Sequence, residues 1–153
     1  MDLRSIDLDA TITITLEDTS ARFTVHKDLI CARSPFIKGC LQNDFKEGRE
    51  QTVTIREWQN SDSMKTLIAW VYQGKPALDI SEISASSPED KVKEVASDLA
   101  ELYVLADRFL MSNLKNDVVD GYCLFQLYGD CKPDEFSLRL HHDTLRTLAQ
   151  YGL

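Results

Sequence analysis

The sequence has little basic charge and no long apolar run. Seventeen lysines and arginines stand against 25 aspartates and glutamates, which gives a formal charge of −8. Because binding to a phosphate backbone needs a basic face, nucleic acid is not expected as a partner. No apolar stretch approaches the roughly 20 residues that a membrane helix needs, so no membrane association is expected either.

Metal-ligating residues are few and poorly spaced. The four cysteines, at positions 31, 40, 123 and 131, form no CxxC motif. His141 and His142 are adjacent, so on a helix they diverge by about 100° and cannot both face one ion. We therefore predict no metal and no cofactor. The N-terminus, MDLRSIDLD, lacks the apolar core of a signal peptide, and we expect an intracellular protein, cytoplasmic or nuclear, with reduced thiols.

Alternating apolar residues predict three strands. In TITITL (11–16), threonine alternates with Ile or Leu, a period of two that is typical of a half-buried strand. EDTSA then supplies turn formers, and RFTVH (22–26) resumes the alternation, which predicts a hairpin. QTVTI (51–55) predicts a further strand of the same kind.

A helical period begins after His26. A short helix is expected to end before Pro35, because proline disfavours helical geometry in the preceding residue. Ser34 is then a natural N-cap for a second helix that has Pro35 at its first position. NSDS (60–63) caps a further helix that ends at Gly74.

The second half of the chain is predominantly helical. Residues 75–90 predict a surface loop with a possible edge strand at 78–80, and Ser87-Pro88 starts the longest amphipathic helix. Ser112-Asn113 caps a following antiparallel helix, and 134–149 is a last helical segment. The fold class is therefore α+β, a small three- to four-stranded sheet packed against a cluster of five to six helices.

Several motifs in this order resemble the BTB/POZ domain family over about residues 7–126. They are Asp9 at the first strand, FTVHKDLICARSPFIKGCL (23–41), TVTI (52–55), LIAWVYQGK (67–75) and LAELYVLADRFLMSNLKNDVVD (99–120). Residues 106–120, with FSLRLHHDTLRTLA (136–149), are most similar to the short fungal members. We accordingly divide the chain into a BTB/POZ-like interaction domain, 1–126, and a C-terminal helical extension, 127–153.

The resemblance implies a binding module without catalysis. Such domains homodimerise through the first helix and the N-terminal segment, where Leu3, Ile6 and Leu8 are the expected contacts; the alternatives are that these residues cover their own sheet edge or are disordered. Many members dock a cullin scaffold as adaptors of ubiquitin ligases. Others recruit transcriptional co-regulators or only oligomerise their host protein, and we keep that reading as the alternative function.

Two further site predictions follow from the resemblance. Phe45, Lys46 and Glu47 stand where cullin-binding members carry an apolar-x-Glu triplet, and an aromatic anchor in a desolvated pocket can contribute about 2 kcal/mol or more. The alternative is that Phe45 folds back onto its own core and the following residues form a polar turn. Asp9 and Lys27 match a charged pocket near the dimer axis, but an ordinary rim ion pair, worth about 0–1 kcal/mol, is the simpler interpretation.

His26 and Cys31 raise the question of a thiol-dependent enzyme. A base and its nucleophile must lie within hydrogen-bond reach, whereas His26 ends a strand and Cys31 follows five residues later in an apolar helix. We therefore predict no catalytic residues, with His26 bonded to nearby backbone and Cys31 packed as a small apolar side chain.

Overall fold

The computed structural model describes residues 7, 9–42, 45–74 and 89–128, except for the side chains of 89, 92 and 122–128. These residues form three strands and six helices, in the order β1 (Thr11–Leu16), β2 (Arg22–His26), α1 (Lys27–Arg33), α2 (Pro35–Gln42), α3 (Lys46–Glu50), β3 (Thr52–Ile55), α4 (Ser61–Gln73), α5 (Glu89–Arg108) and α6 (Ser112–Tyr128). The predicted α+β class is confirmed.

Some predictions fall outside the described residues. They are the contacts of Leu3, Ile6 and Leu8, the edge strand at 78–80, the helix at 134–149 and the C-terminal extension beyond residue 128. The division at residue 126 stays a prediction.

The sheet has the strand order β2-β1-β3. Strands β1 and β2 form the predicted antiparallel hairpin, with Ile12 opposite Val25. Strand β3 pairs with β1 in parallel, with Ile14 beside Val53, and this pairing was not predicted. The inward residues of β1 and β3 are at most 2% exposed, as the period of two requires: Ile12, Ile14, Leu16, Val53 and Ile55.

A buried serine forms the corner between α1 and α2. Ser34 is fully buried, its backbone N–H donates to the carbonyl of Ile30 at 2.8 Å, and its Oγ accepts from the N–H of Ile37 at 3.2 Å. The same hydroxyl donates to the carbonyl of Phe109, at the end of α5, at 2.7 Å. The predicted N-cap is therefore confirmed, and it also joins this corner to the helical hairpin.

Helix α4 begins and ends as predicted. The Asn60 side chain accepts from the N–H groups of Asp62 and Ser63, at 2.9 and 3.2 Å. At the other end Gly74 has φ 69°, a left-handed conformation that glycine adopts without steric cost, and its N–H donates to the carbonyl of Trp70 at 2.8 Å.

Helices α5 and α6 form the predicted antiparallel hairpin. The turn between them closes with the N–H of Met111 donating to the carbonyl of Ala106 at 2.8 Å, and it places Leu110 at φ 55°. Phe109, Leu105 and Leu114 are fully buried in the hydrophobic core, and the Phe109 ring lies 5.8 Å from the ring of Phe36 in α2, centroid to centroid. Within the described residues, no helix combines the length and the hydrophobicity that crossing a bilayer requires.

Candidate protein-interaction surfaces

Phe45 lies on the outside of the molecule, immediately before α3. Its backbone is extended, with φ −68° and ψ 164°, and its side chain is 59% exposed. The alternative in which Phe45 folds back onto the core is therefore wrong. Exposure of a large aromatic side chain to water is unfavourable, and Phe45 is the main apolar side chain of the described residues 45–50 that follow α2.

Lys46 and Glu47 are the first residues of helix α3. The alternative prediction of a polar turn at this position is therefore wrong. The Lys46 ammonium lies 3.9 Å from a Glu50 carboxylate oxygen, and both side chains are mostly exposed, so this pair contributes little stability. Glu47 is half-buried and close to Cys40 in α2. Burial, and secondarily the Glu47 charge, raise the pKa of the Cys40 thiol. The triplet therefore presents one apolar and two charged groups together on a short helix.

Asp9 and Lys27 do not form the rim ion pair that we favoured. No ion pair joins them within 4.0 Å, so that interpretation is wrong for the described part of a single protomer. Instead, backbone contacts fix the segment: the Lys27 N–H donates to the carbonyl of Ala10 at 2.9 Å, and the Asp7 N–H donates to the carboxylate of Asp28 at 2.9 Å. Asp9, just before β1, is exposed, and Lys27, the first residue of α1, is half-buried.

His26 bonds a side chain rather than the backbone that we predicted. Its Nδ1 lies 2.7 Å from the Tyr72 hydroxyl, which also accepts from the His26 backbone N–H at 3.1 Å. Either group can donate in this bond, depending on which ring nitrogen of His26 carries the hydrogen. The contacts of His26 with the Tyr72 hydroxyl therefore join the end of β2 to the last turn of α4.

The two described thiols are poorly activated. Cys31 and Cys40 are both free and partly buried against the core. Burial is the largest cause that raises the pKa of the Cys31 thiol, and it outweighs the opposing charge of Lys27. Across the described ranges, no three His, Cys, Asp or Glu side chains converge as a metal site would require.

A groove runs between the α1–α2 corner and the α5–α6 turn, and sequence reasoning missed it. Its accessible volume is about 380 Å³, and it is lined by Ala32, Arg33, Pro35, Leu110, Ser112 and Asn113. Leu110 is 56% exposed and holds a left-handed φ that glycine or asparagine usually takes at a helix C-terminus. The sequence did contain a sign of this groove: Leu110 stands just beyond the end of α5, where a small or polar residue is expected.

Comparison with protein families decides the assignment. The BTB/POZ domain model matches residues 2–123, most of the chain and nearly the whole of the fold described above. The chain belongs to the BTB/POZ family. Comparison with curated proteins finds no match. BTB domains mediate protein–protein interactions, including dimerisation, so this BTB domain is a protein-interaction module.

Proposed function

We propose that this BTB domain is a homodimeric, non-enzymatic adaptor that docks a cullin scaffold of a ubiquitin ligase. The observation that carries the proposal is the exposure of Phe45, 59%, at the start of a helix that also presents Lys46 and Glu47. An aromatic anchor that becomes fully desolvated in a partner's pocket is the usual source of binding energy at such interfaces, and neighbouring charges set its orientation.

The properties of the Cys31 and Cys40 thiols support the proposal of a non-enzymatic module. A nucleophilic cysteine needs a lowered pKa, whereas burial raises the pKa of both Cys31 and Cys40. His26, the nearest base in sequence, is bonded to Tyr72. A thiol-dependent enzyme is therefore the weaker reading of these residues.

Replacing Phe45 with alanine tests the cullin proposal. Loss of an anchor worth about 2 kcal/mol predicts about thirtyfold weaker binding to a cullin N-terminal fragment in calorimetry. The thermal midpoint should hardly change, because the side chain is exposed. Val119→Ala is the matched control, since Val119 is 46% exposed on α6; it should bind like the parent. Equal affinity of Phe45→Ala and the parent removes Phe45 from the interface.

The groove beside Leu110 favours a second candidate, a co-regulator recruitment or oligomerisation module with no ubiquitin-ligase link. Its lining combines apolar and polar side chains, which suits a short peptide that carries both kinds: Ala32, Pro35 and Leu110 are apolar, and Arg33, Ser112 and Asn113 are polar. Absence of cullin binding in the parent, together with an intact dimer, favours this candidate.

Two finer assignments rest on the sequence. We propose, from the sequence of residues 106–120 and 136–149 alone, that the chain is most similar to short fungal BTB proteins. We propose an intracellular location, cytoplasmic or nuclear, because an adaptor of this kind works beside its ligase.

A further inference from the structure

Helix α3 carries the Phe45 triplet, yet it has few attachments of its own. It is five residues long, none of its residues is buried, and Phe45, at its N-cap, offers no side-chain hydrogen bond. A helix this short is unstable in isolation. Its orientation therefore depends on its neighbours: α2, which it contacts near Cys40, and the segments at its two ends.

Gln51 holds the C-terminal end of α3 through both its backbone and its side chain. Its backbone N–H donates to the carbonyl of Glu47, and its side-chain Nε2 donates to the carbonyl of Gly48. Its own carbonyl accepts from the N–H of Thr13 in β1 at 2.9 Å. One residue thus joins the last turn of α3 to the central strand of the sheet.

The backbone of Gln51 is left-handed, with φ 51° and ψ 37°. Only glycine adopts this conformation freely; asparagine tolerates it, and a β-branched residue is strongly disfavoured. A non-glycine residue therefore occupies the position at a steric cost, and its side-chain bond to Gly48 is a contact that glycine would not make.

We infer that Gln51 is the positioning residue of the Phe45 surface: its left-handed cap fixes α3 against β1 and so sets the direction in which Phe45 is presented. The identity of the protein that binds Phe45 rests on the proposed function. The role of Gln51 in fixing α3 does not depend on any binding partner. Gln51 does not belong to the triplet; it acts through α3.

Three substitutions and one control test this role. Gln51→Val adds strain and removes the side-chain bond. Gln51→Gly removes the bond and also the steric cost of the left-handed conformation, and Gln51→Asn keeps an amide and tolerates the conformation. Ser20→Val is the control, because Ser20 has φ 55° in the β1–β2 turn, so it introduces similar strain away from α3.

The first readout is hydrogen exchange at the amide of Arg49, which donates to the carbonyl of Phe45 at 3.2 Å. We expect Gln51→Val to exchange about tenfold faster than the parent at Arg49, Gln51→Gly to be intermediate and Gln51→Asn to be close to the parent. Ser20→Val should leave this amide unchanged. Equal exchange in the parent and Gln51→Val overturns the inference, whether or not a cullin binds.

The second readout is affinity for the cullin fragment. We expect the affinity to fall in the same order as the exchange protection, with Ser20→Val binding like the parent. If Phe45→Ala weakens binding and Gln51→Val does not, the positioning role is wrong while the proposed function stands. If the parent does not bind at all, the proposed function fails and the exchange measurement alone decides on Gln51.

Discussion

At the scale of single residues, Ser34 is one of two buried polar residues in the described fold, and the loss of its hydrogen bonds should destabilise the protein. Replacing it with alanine leaves the carbonyl of Phe109 and the N–H of Ile37 without their buried partner. We expect Ser34→Ala to lower the free energy of unfolding by about 2–3 kcal/mol, measured by urea denaturation. Ser97→Ala, at an exposed position of α5, should change it by less than about 0.5 kcal/mol. Similar values for the two variants would contradict the role of Ser34.

Residue identities predicted caps better than they predicted partners. Ser34, Asn60 and Gly74 stand at helix ends for local reasons, and local reasons can be read from neighbouring residues. The partner of His26 is Tyr72, 46 residues later, and the Ser34 hydroxyl donates to the backbone carbonyl of Phe109, 75 residues later and just after α5. Such contacts depend on how elements pack, which a period of two or of 3.6 residues does not specify. The exposure of Phe45 was undecided for the same reason.

At the scale of elements, the α4–α5 contact brings acidic groups together. Partial burial, and then the charges of Glu94 and Asp62, raise the pKa of the Asp98 carboxyl above 3.8. The folded chain thus binds this proton more tightly than the unfolded chain, so stability falls as the pH rises through the raised pKa and stays lower above it. We expect Asp98→Asn to raise the free energy of unfolding at pH 7 by less than about 1 kcal/mol, because Asp98 is only partly buried and solvent screens its charge.

Urea denaturation at neutral and acidic pH checks this expectation. The difference between Asp98→Asn and the parent should vanish as the pH falls below 3.8, where Asp98 is protonated in both folded and unfolded chains. Asp120→Asn, on an exposed part of α6, controls for the general loss of one negative charge. A variant less stable than the parent at pH 7 would mean that Asp98 makes a favourable contact instead.

Helices and strands could be predicted from the sequence where their hydrophobic periodicity extends over many residues. The hairpin, α4 and the α5–α6 pair have clear periods and clear caps, and each lies where it was expected. Helix α3 was missed because KEGRE has no apolar face and a glycine in its middle. The parallel pairing of β1 with β3 was missed because hydrophobic alternation indicates a strand but not its neighbour or direction.

At the scale of the whole molecule, the two candidate surfaces for a partner are separate. The Phe45 triplet follows α2, whereas the groove beside Leu110 lies between the α1–α2 corner and the α5–α6 turn. An adaptor must hold two proteins at once, so one surface alone would not suffice. A homodimer doubles each surface, and binding at two linked sites strengthens attachment without any new contact.

The proposed homodimer gives the last prediction. Asp9 and Lys27 are unpaired with each other within a protomer, so we expect each to face the opposite charge across the dimer axis. The parent should sediment at about twice 17.4 kDa. Asp9→Lys and Lys27→Asp should each weaken the dimer by about tenfold through like-charge contact, and the double variant should recover most of that loss. Sedimentation as a monomer at every concentration would refute the dimer. If the double variant dimerises no more tightly than either single variant, Asp9 and Lys27 do not contact each other across the dimer axis.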